Sequence, residues 1–121
     1  MADLHEQKSA LRKQVLAKRD SLPPAFRIEA SLSAAEHGLE AQAFSNEHFI
    51  GGTVVSGFLP IRSEIDTRPL MAALASRGAT LCLPVVLDKT TIEFRELIRT
   101  APLVDTGFGT VGPAKDAIVL D

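Results

Sequence analysis

The sequence has no tryptophan and no tyrosine, and its six aromatic residues are all phenylalanine. A base-stacking platform rich in those rings is therefore absent, which counts against nucleic acid as a partner. There is one cysteine, Cys82. A single thiol permits neither an internal disulfide nor a cysteine-based zinc site. The three histidines, His5, His37 and His48, show no metal-ligand spacing and read as helix or loop residues on the surface. Excess charge of either sign is lacking too. A net charge of −2 gives no global electrostatic case for nucleic acid or an anionic membrane. No apolar run approaches the ~18 residues of a membrane span. The first residues, MADLHEQKSALRKQ, lack the apolar core of a signal peptide, so a cytoplasmic protein is expected.

What is present is ordinary for a soluble globular chain. Of 121 residues, 45% are hydrophobic and 23% charged, enough for one domain around one core. The chain is organised around residues 53–67, TVVSGFLPIRSEIDT. Its first half, 53–59, is rich in β-branched and apolar residues and suits a buried strand. Pro60 cannot donate to a sheet ladder, so the strand should stop there. A helix follows, capped by Asp66 or Thr67. The charges Arg62, Glu64 and Asp66 lie between strand end and helix start, where open α/β sheets bind ligands. Glu64 could accept hydrogen bonds from ligand N–H groups there. A solvated turn and a helix's first turn explain the same charges without a ligand.

Residues 3–20 read as an amphipathic helix with Leu4, Leu11, Val15 and Leu22 on one stripe. At ~100° per residue, Lys8, Arg12 and Arg19 lie along its edge. Lys8 and Arg12 are i,i+4 neighbours that repel, and a phosphate between them would turn repulsion into binding. The alternative is that both stems lie along the core edge with their charges in water. A second helix is expected over 24–43, with Ile28, Leu32, Ala35 and Leu39 as its buried stripe. Residues 45–52 form a loop. A third helix spans 67–77 and stops at Gly78. Strand 79–86 is nearly all apolar and should be buried on both faces, with Cys82 a small core residue. Strand 53–59, helix 67–77 and strand 79–86 make a βαβ unit, right-handed by rule. Asp88-Lys89-Thr90 turns into strand 91–97, which places Ile92, Phe94 and Glu96 on one side and Glu93 and Arg95 on the other. Residues 98–121 read mostly as loop. Gly107, Gly109 and Gly112 match G-x-G-x-x-G, but no strong strand precedes them and Pro113 follows, so they are assigned to loop geometry and not to a dinucleotide.

Four motifs in order carry a resemblance. They are Lys8-Ser9-Ala10-Leu11-Arg12, residues 58–67 (FLPIRSEIDT), Arg77-Gly78 and Leu83-Pro84-Val85. Together they resemble the 5-formyltetrahydrofolate cyclo-ligase (5,10-methenyltetrahydrofolate synthetase) family. Residues 107–113, GFGTVGP, are similar to that family's glycine- and proline-containing loop. The resemblance implies an enzyme of one-carbon metabolism that uses ATP and Mg²⁺ to convert 5-formyltetrahydrofolate to 5,10-methenyltetrahydrofolate. By residue match it implies that Lys8 and Arg12 contact ATP, and that Leu59 and Glu64 contact folate. The expected fold is α/β, a layered sheet with helices on both faces, two N-terminal helices, a βαβ unit and a hairpin. The family's glycine-rich phosphate loop, of the form G-x-G-x-G-Y-Y-D-R, and its Mg²⁺ ligands are not found in the sequence. Residues 1–121 therefore read as the N-terminal part of a single, incomplete domain that is inactive in isolation. Two other readings stand beside this one: a non-catalytic folate- or partner-binding fragment of the same fold, and an unrelated α/β enzyme of the sugar-phosphate isomerase or CoA-transferase kind.

Overall fold

Helix α1 (Leu4–Asp20) starts where Asp3 caps it, its carboxylate accepting the Glu6 N–H at 2.8 Å. The structure, a computed structural model, describes residues 3–41, 44 and 51–120. The apolar stripe of α1 is open: Leu4, Leu11 and Val15 are 65%, 59% and 53% exposed, and the helix buries no residue. Amphipathic spacing identifies a face but not what covers it. Among the described residues α1 is held at its C-terminal end instead. Arg19 Nε donates to Ser63 Oγ at 2.8 Å, and the Ser63 hydroxyl donates to the Asp20 carboxylate.

Helix α2 (Pro24–Glu40) begins with proline, which suits a first turn where the N–H would have no partner. It ends earlier than expected, and residues 42–43 lie outside the described residues. Its expected stripe is corrected as well. Ala35 is buried, but its companion is Ser31, while Ile28 and Leu32 are exposed. The small side of α2 faces helix α3 (Arg68–Ser76), and a Cβ at Gly38 would come within 3.1 Å of Leu70. Small residues let the two helices approach, and that outweighs the area offered by Ile28 and Leu32. Arg77 closes the arrangement, its Nη1 donating to the carbonyls of Phe44 and Leu39 at 2.9 and 3.3 Å.

Strand β1 (Val54–Ser56) pairs in parallel with β2 (Thr80–Val86), and α3 makes the crossover, so the βαβ unit forms as expected. The first strand is shorter than residues 53–59. It stops at Ser56, before Pro60, although the Gly57 N–H still donates to Cys82 O at 3.0 Å. The reason is α3 crossing close by: a Cβ on Gly57 would lie 2.0 Å from Met71 Sδ. Thr67 is the N-cap of α3, but its hydroxyl donates to Phe58 O at 2.6 Å, and Asp66 takes the Arg68 N–H at 3.0 Å.

Strand β3 (Ile92–Glu96) is antiparallel to β2, as the hairpin reading required. Burial of β2 on both faces holds at Cys82 and Leu83 but fails beyond them, where Pro84 and Val86 are exposed. The reading of 98–121 as mostly loop is overturned. Strands β4 (Leu103–Gly107) and β5 (Thr110–Pro113) form a hairpin, and β6 (Val119–Leu120) pairs with β3. Gly107, Phe108 and Gly109 all take positive φ, 89°, 55° and 73°, and reverse the chain. The main sheet runs β1-β2-β3-β6. One of its faces meets α3 and the β4–β5 hairpin. There Arg95 is buried, its Nε donating to Glu93 Oε1 at 2.7 Å and its Nη1 to Pro113 O at 3.0 Å. On the opposite face Val54, Ser56, Cys82, Phe94 and Leu120 line an open groove. No helix among the described residues is long and apolar enough to cross a membrane.

Candidate functional site

The turn after β1 is built by Glu64 on itself. The Ile61 N–H donates to Glu64 Oε1 at 2.8 Å, and the Glu64 N–H returns to Ile61 O at 3.2 Å. Arg62, between them, is pushed to φ 56°, a costly conformation for a residue with a Cβ. Buried Ser63 ties this turn to the end of α1, and Ser31 of α2 accepts the Asp66 N–H at 3.0 Å. Two helices thus fix the loop that carries Glu64. One carboxylate oxygen is used by the turn, and Oε2 has no hydrogen-bond partner among the described residues, leaving it available to a ligand donor.

Leu59 and Glu64 share a cavity of about 430 Å³. Its other walls are the carboxyl end of β2, at Leu83, Pro84 and Val86, and the start of β5, at Gly109, Thr110 and Val111. The position is beyond the carboxyl ends of the parallel strands β1 and β2, and the size is that of a small-molecule site. The β5 wall is the part that sequence reasoning missed. The β-branched residues Val104, Thr106, Thr110 and Val111 on both sides of the glycines were the signal that could have found it.

Lys8 and Arg12 sit elsewhere. Both are exposed on α1 and do not line this cavity. Counting back from Arg19, which touches the loop, they stand about 17 Å and 10 Å further along the helix axis at 1.5 Å per residue. They are one helical turn apart, and neither forms an ion pair among the described residues. Asp66 is also assigned. Its carboxylate takes Arg68 Nε at 2.8 Å and Nη2 at 2.9 Å, and this two-pronged bond holds its pKa below the ordinary 3.8 while raising that of Arg68. Among the described residues no group of three or more His, Cys, Asp or Glu side chains could hold a metal ion.

A cavity at the carboxyl ends of parallel strands, faced by a buttressed carboxylate, is the arrangement in which open α/β sheets bind small molecules. The chain belongs to the 5-formyltetrahydrofolate cyclo-ligase family, whose model it matches over residues 4–119. It is similar in structure to the 5,10-methenyltetrahydrofolate synthetase of Aquifex aeolicus, solved by NMR, with a TM-score of 0.67 and 26% sequence identity. That match covers 93% of this chain and 54% of the other, so the chain spans about half the length of this relative. No curated protein matches it.

Proposed function

We propose that this chain supplies the folate-facing wall of a 5-formyltetrahydrofolate cyclo-ligase, the N-terminal part of a single domain. The reaction is the ATP-dependent closure of 5-formyltetrahydrofolate to 5,10-methenyltetrahydrofolate. ATP phosphorylates the formyl oxygen, the neighbouring N10 attacks the activated carbon, and phosphate departs with the oxygen. An amide-like oxygen is a poor leaving group and phosphate a good one, so positioning and charge neutralisation carry most of the rate. Leu59 packs against the ring system, and Glu64 Oε2 accepts an N–H from it. Lys8 and Arg12 hold phosphate oxygens of ATP. The residues described here do not fit a Mg²⁺ site of their own. The metal's ligands and the phosphate cradle come from outside them.

The observation that carries this reading is the convergence of Leu59 and Glu64 on one cavity with a carboxylate oxygen left free. Calorimetric titration of 5-formyltetrahydrofolate into the chain and into Glu64→Gln tests it. The substitution removes a charge-assisted acceptor, and affinity should fall about tenfold or more. Unchanged affinity would remove Glu64 from the site. Lys8→Ala and Arg12→Ala should weaken ATP and spare folate, and the reverse pattern would count against that assignment. A second reading, folate binding without turnover, is favoured by the same cavity being formed without a phosphate cradle. Pure 1–121 should give no ATP-dependent methenyl product, and detectable turnover would contradict the incomplete-domain reading.

A further inference from the structure

A second cleft of about 250 Å³ opens beside the folate-facing cavity, between the start of α2 and the turn after β1. Pro60 and Glu64 line both, so the two are neighbours. Three arginines line the second cleft, Arg27, Arg62 and Arg68, with two acidic residues, Glu64 and Asp66. Their partners divide unevenly. Asp66 and Arg68 satisfy each other, and Glu64 gives one oxygen to its own turn. Arg27 and Arg62 have no side-chain partner among the described residues. Arg27 Nε is buried away from solvent and bonded to nothing. A buried guanidinium donor without an acceptor loses its hydration with no return, at a cost of ~1–3 kcal/mol. Natural structures rarely leave such a donor alone, and an unfilled one marks a missing acceptor. Of the walls, Pro24, Ile28 and Leu32 are apolar, Ser31 Oγ already accepts the Asp66 N–H, and the free Glu64 oxygen is not bonded to Arg27. Arg62 is meanwhile held at positive φ by the turn and tied in place through Ser63 and α1.

We propose that this cleft is an oxyanion subsite in which Arg27 and Arg62 clamp a carboxylate or phosphate of a ligand whose ring lies in the neighbouring cavity. Planar forks that donate in pairs suit both anions, and Arg68 is kept out of the clamp by Asp66. The inference rests on the proposed function only for the ligand in the neighbouring cavity. The shared chemistry has two sources, the carboxylates of a folate tail or the phosphate of a nucleotide.

The test is an NMR titration of the chain, of Arg27→Gln and of Arg62→Gln with three probes. These are N-(4-aminobenzoyl)-glutamate, 4-aminobenzamide (which lacks the carboxylates) and inorganic phosphate. If the source is a folate tail, N-(4-aminobenzoyl)-glutamate shifts the amides of Arg27, Ser31, Arg62 and Asp66. Each substitution then weakens it about tenfold, while 4-aminobenzamide binding is the same in all three proteins. If phosphate alone shifts these amides and shows the same arginine dependence, the subsite stands and its source is a phosphate. Anion binding that ignores both substitutions, or shifts only elsewhere, overturns the inference. Arg27→Lys, which keeps the charge, should recover part of the affinity, and thermal melts separate lost binding from lost folding. No anion response in the unsubstituted chain, with the Glu64→Gln effect on folate intact, overturns this subsite alone. An intact anion response with no Glu64→Gln effect overturns the folate reading alone.

Discussion

At the scale of single residues, the site depends on who already owns each polar atom. Glu64 closes its own turn with one oxygen and keeps the other. Asp66, two residues on, keeps neither, since Arg68 takes both. The hydrogen bond from Arg68 lowers the Asp66 pKa, so the sign is fixed. The pair's stabilisation is present above the ordinary carboxylate value of 3.8 and is lost as pH falls through the lowered one. Because the pair is largely solvent-exposed, its effect on stability is small, and the direct check is an NMR titration of the carboxyl carbon. Arg68→Gln should return Asp66 toward 3.8, and an unmoved titration would show that another group sets it. Gly57 depends on space. Gly57→Ala pushes a methyl against Met71 and should cost about 1–3 kcal/mol in urea unfolding, with Met71→Ala restoring most of it. The family resemblance picked Leu59 and Glu64 from one continuous motif, and both line one cavity because a single loop carries them. Arg27 was not picked, because it reaches the cleft from α2 and nothing local marks it.

At the scale of elements, the β2–β3 hairpin inverts the usual economy of a strand. The charged side of β3, with Glu93 and Arg95, packs inward, and the apolar side, with Ile92, faces the open groove. Arg95 reaches the end of β5 through Pro113 O and so locks the second hairpin, and with it one wall of the cavity, onto the sheet. Removing its counter-charge strands a buried guanidinium, whereas replacing the arginine by an apolar chain strands less. Glu93→Ala should therefore destabilise by about 3 kcal/mol, and more than Arg95→Met does, in chemical denaturation. The reverse order would show that the ion pair is not what holds the hairpin. The βαβ unit and the β2–β3 hairpin were readable because their apolar runs are bounded by clear turn residues. The β4–β5 hairpin was not, because glycines at 107, 109 and 112 disguise the alternation around a tight reversal. The apolar stripe of α1 is present as spaced, and it is open. Spacing carries no information about a covering surface.

At the scale of the whole molecule, several apolar surfaces are open together. The edge strand β1 belongs to a parallel pair, and parallel sheets are ordinarily covered. Val54 and Ile92 on the groove side are 49% and 53% exposed, and the α1 stripe is open as well. With the match covering 54% of the similar synthetase, these surfaces agree with the proposal that 1–121 is the N-terminal part of one domain. The isolated chain should then bind a hydrophobic dye and self-associate as concentration rises. A monomer that binds no dye and unfolds cooperatively would argue for a complete domain. The cavity between Leu59, Glu64 and the start of β5 is proposed to receive the folate. Amide shift mapping of the chain with 5-formyltetrahydrofolate tests it most directly. The expected result is a contiguous set of shifts at Leu59, Ile61, Glu64, Leu83, Thr110 and Val111, weakened in Glu64→Gln. Saturable binding that leaves those amides unmoved and shifts residues on another face would contradict it.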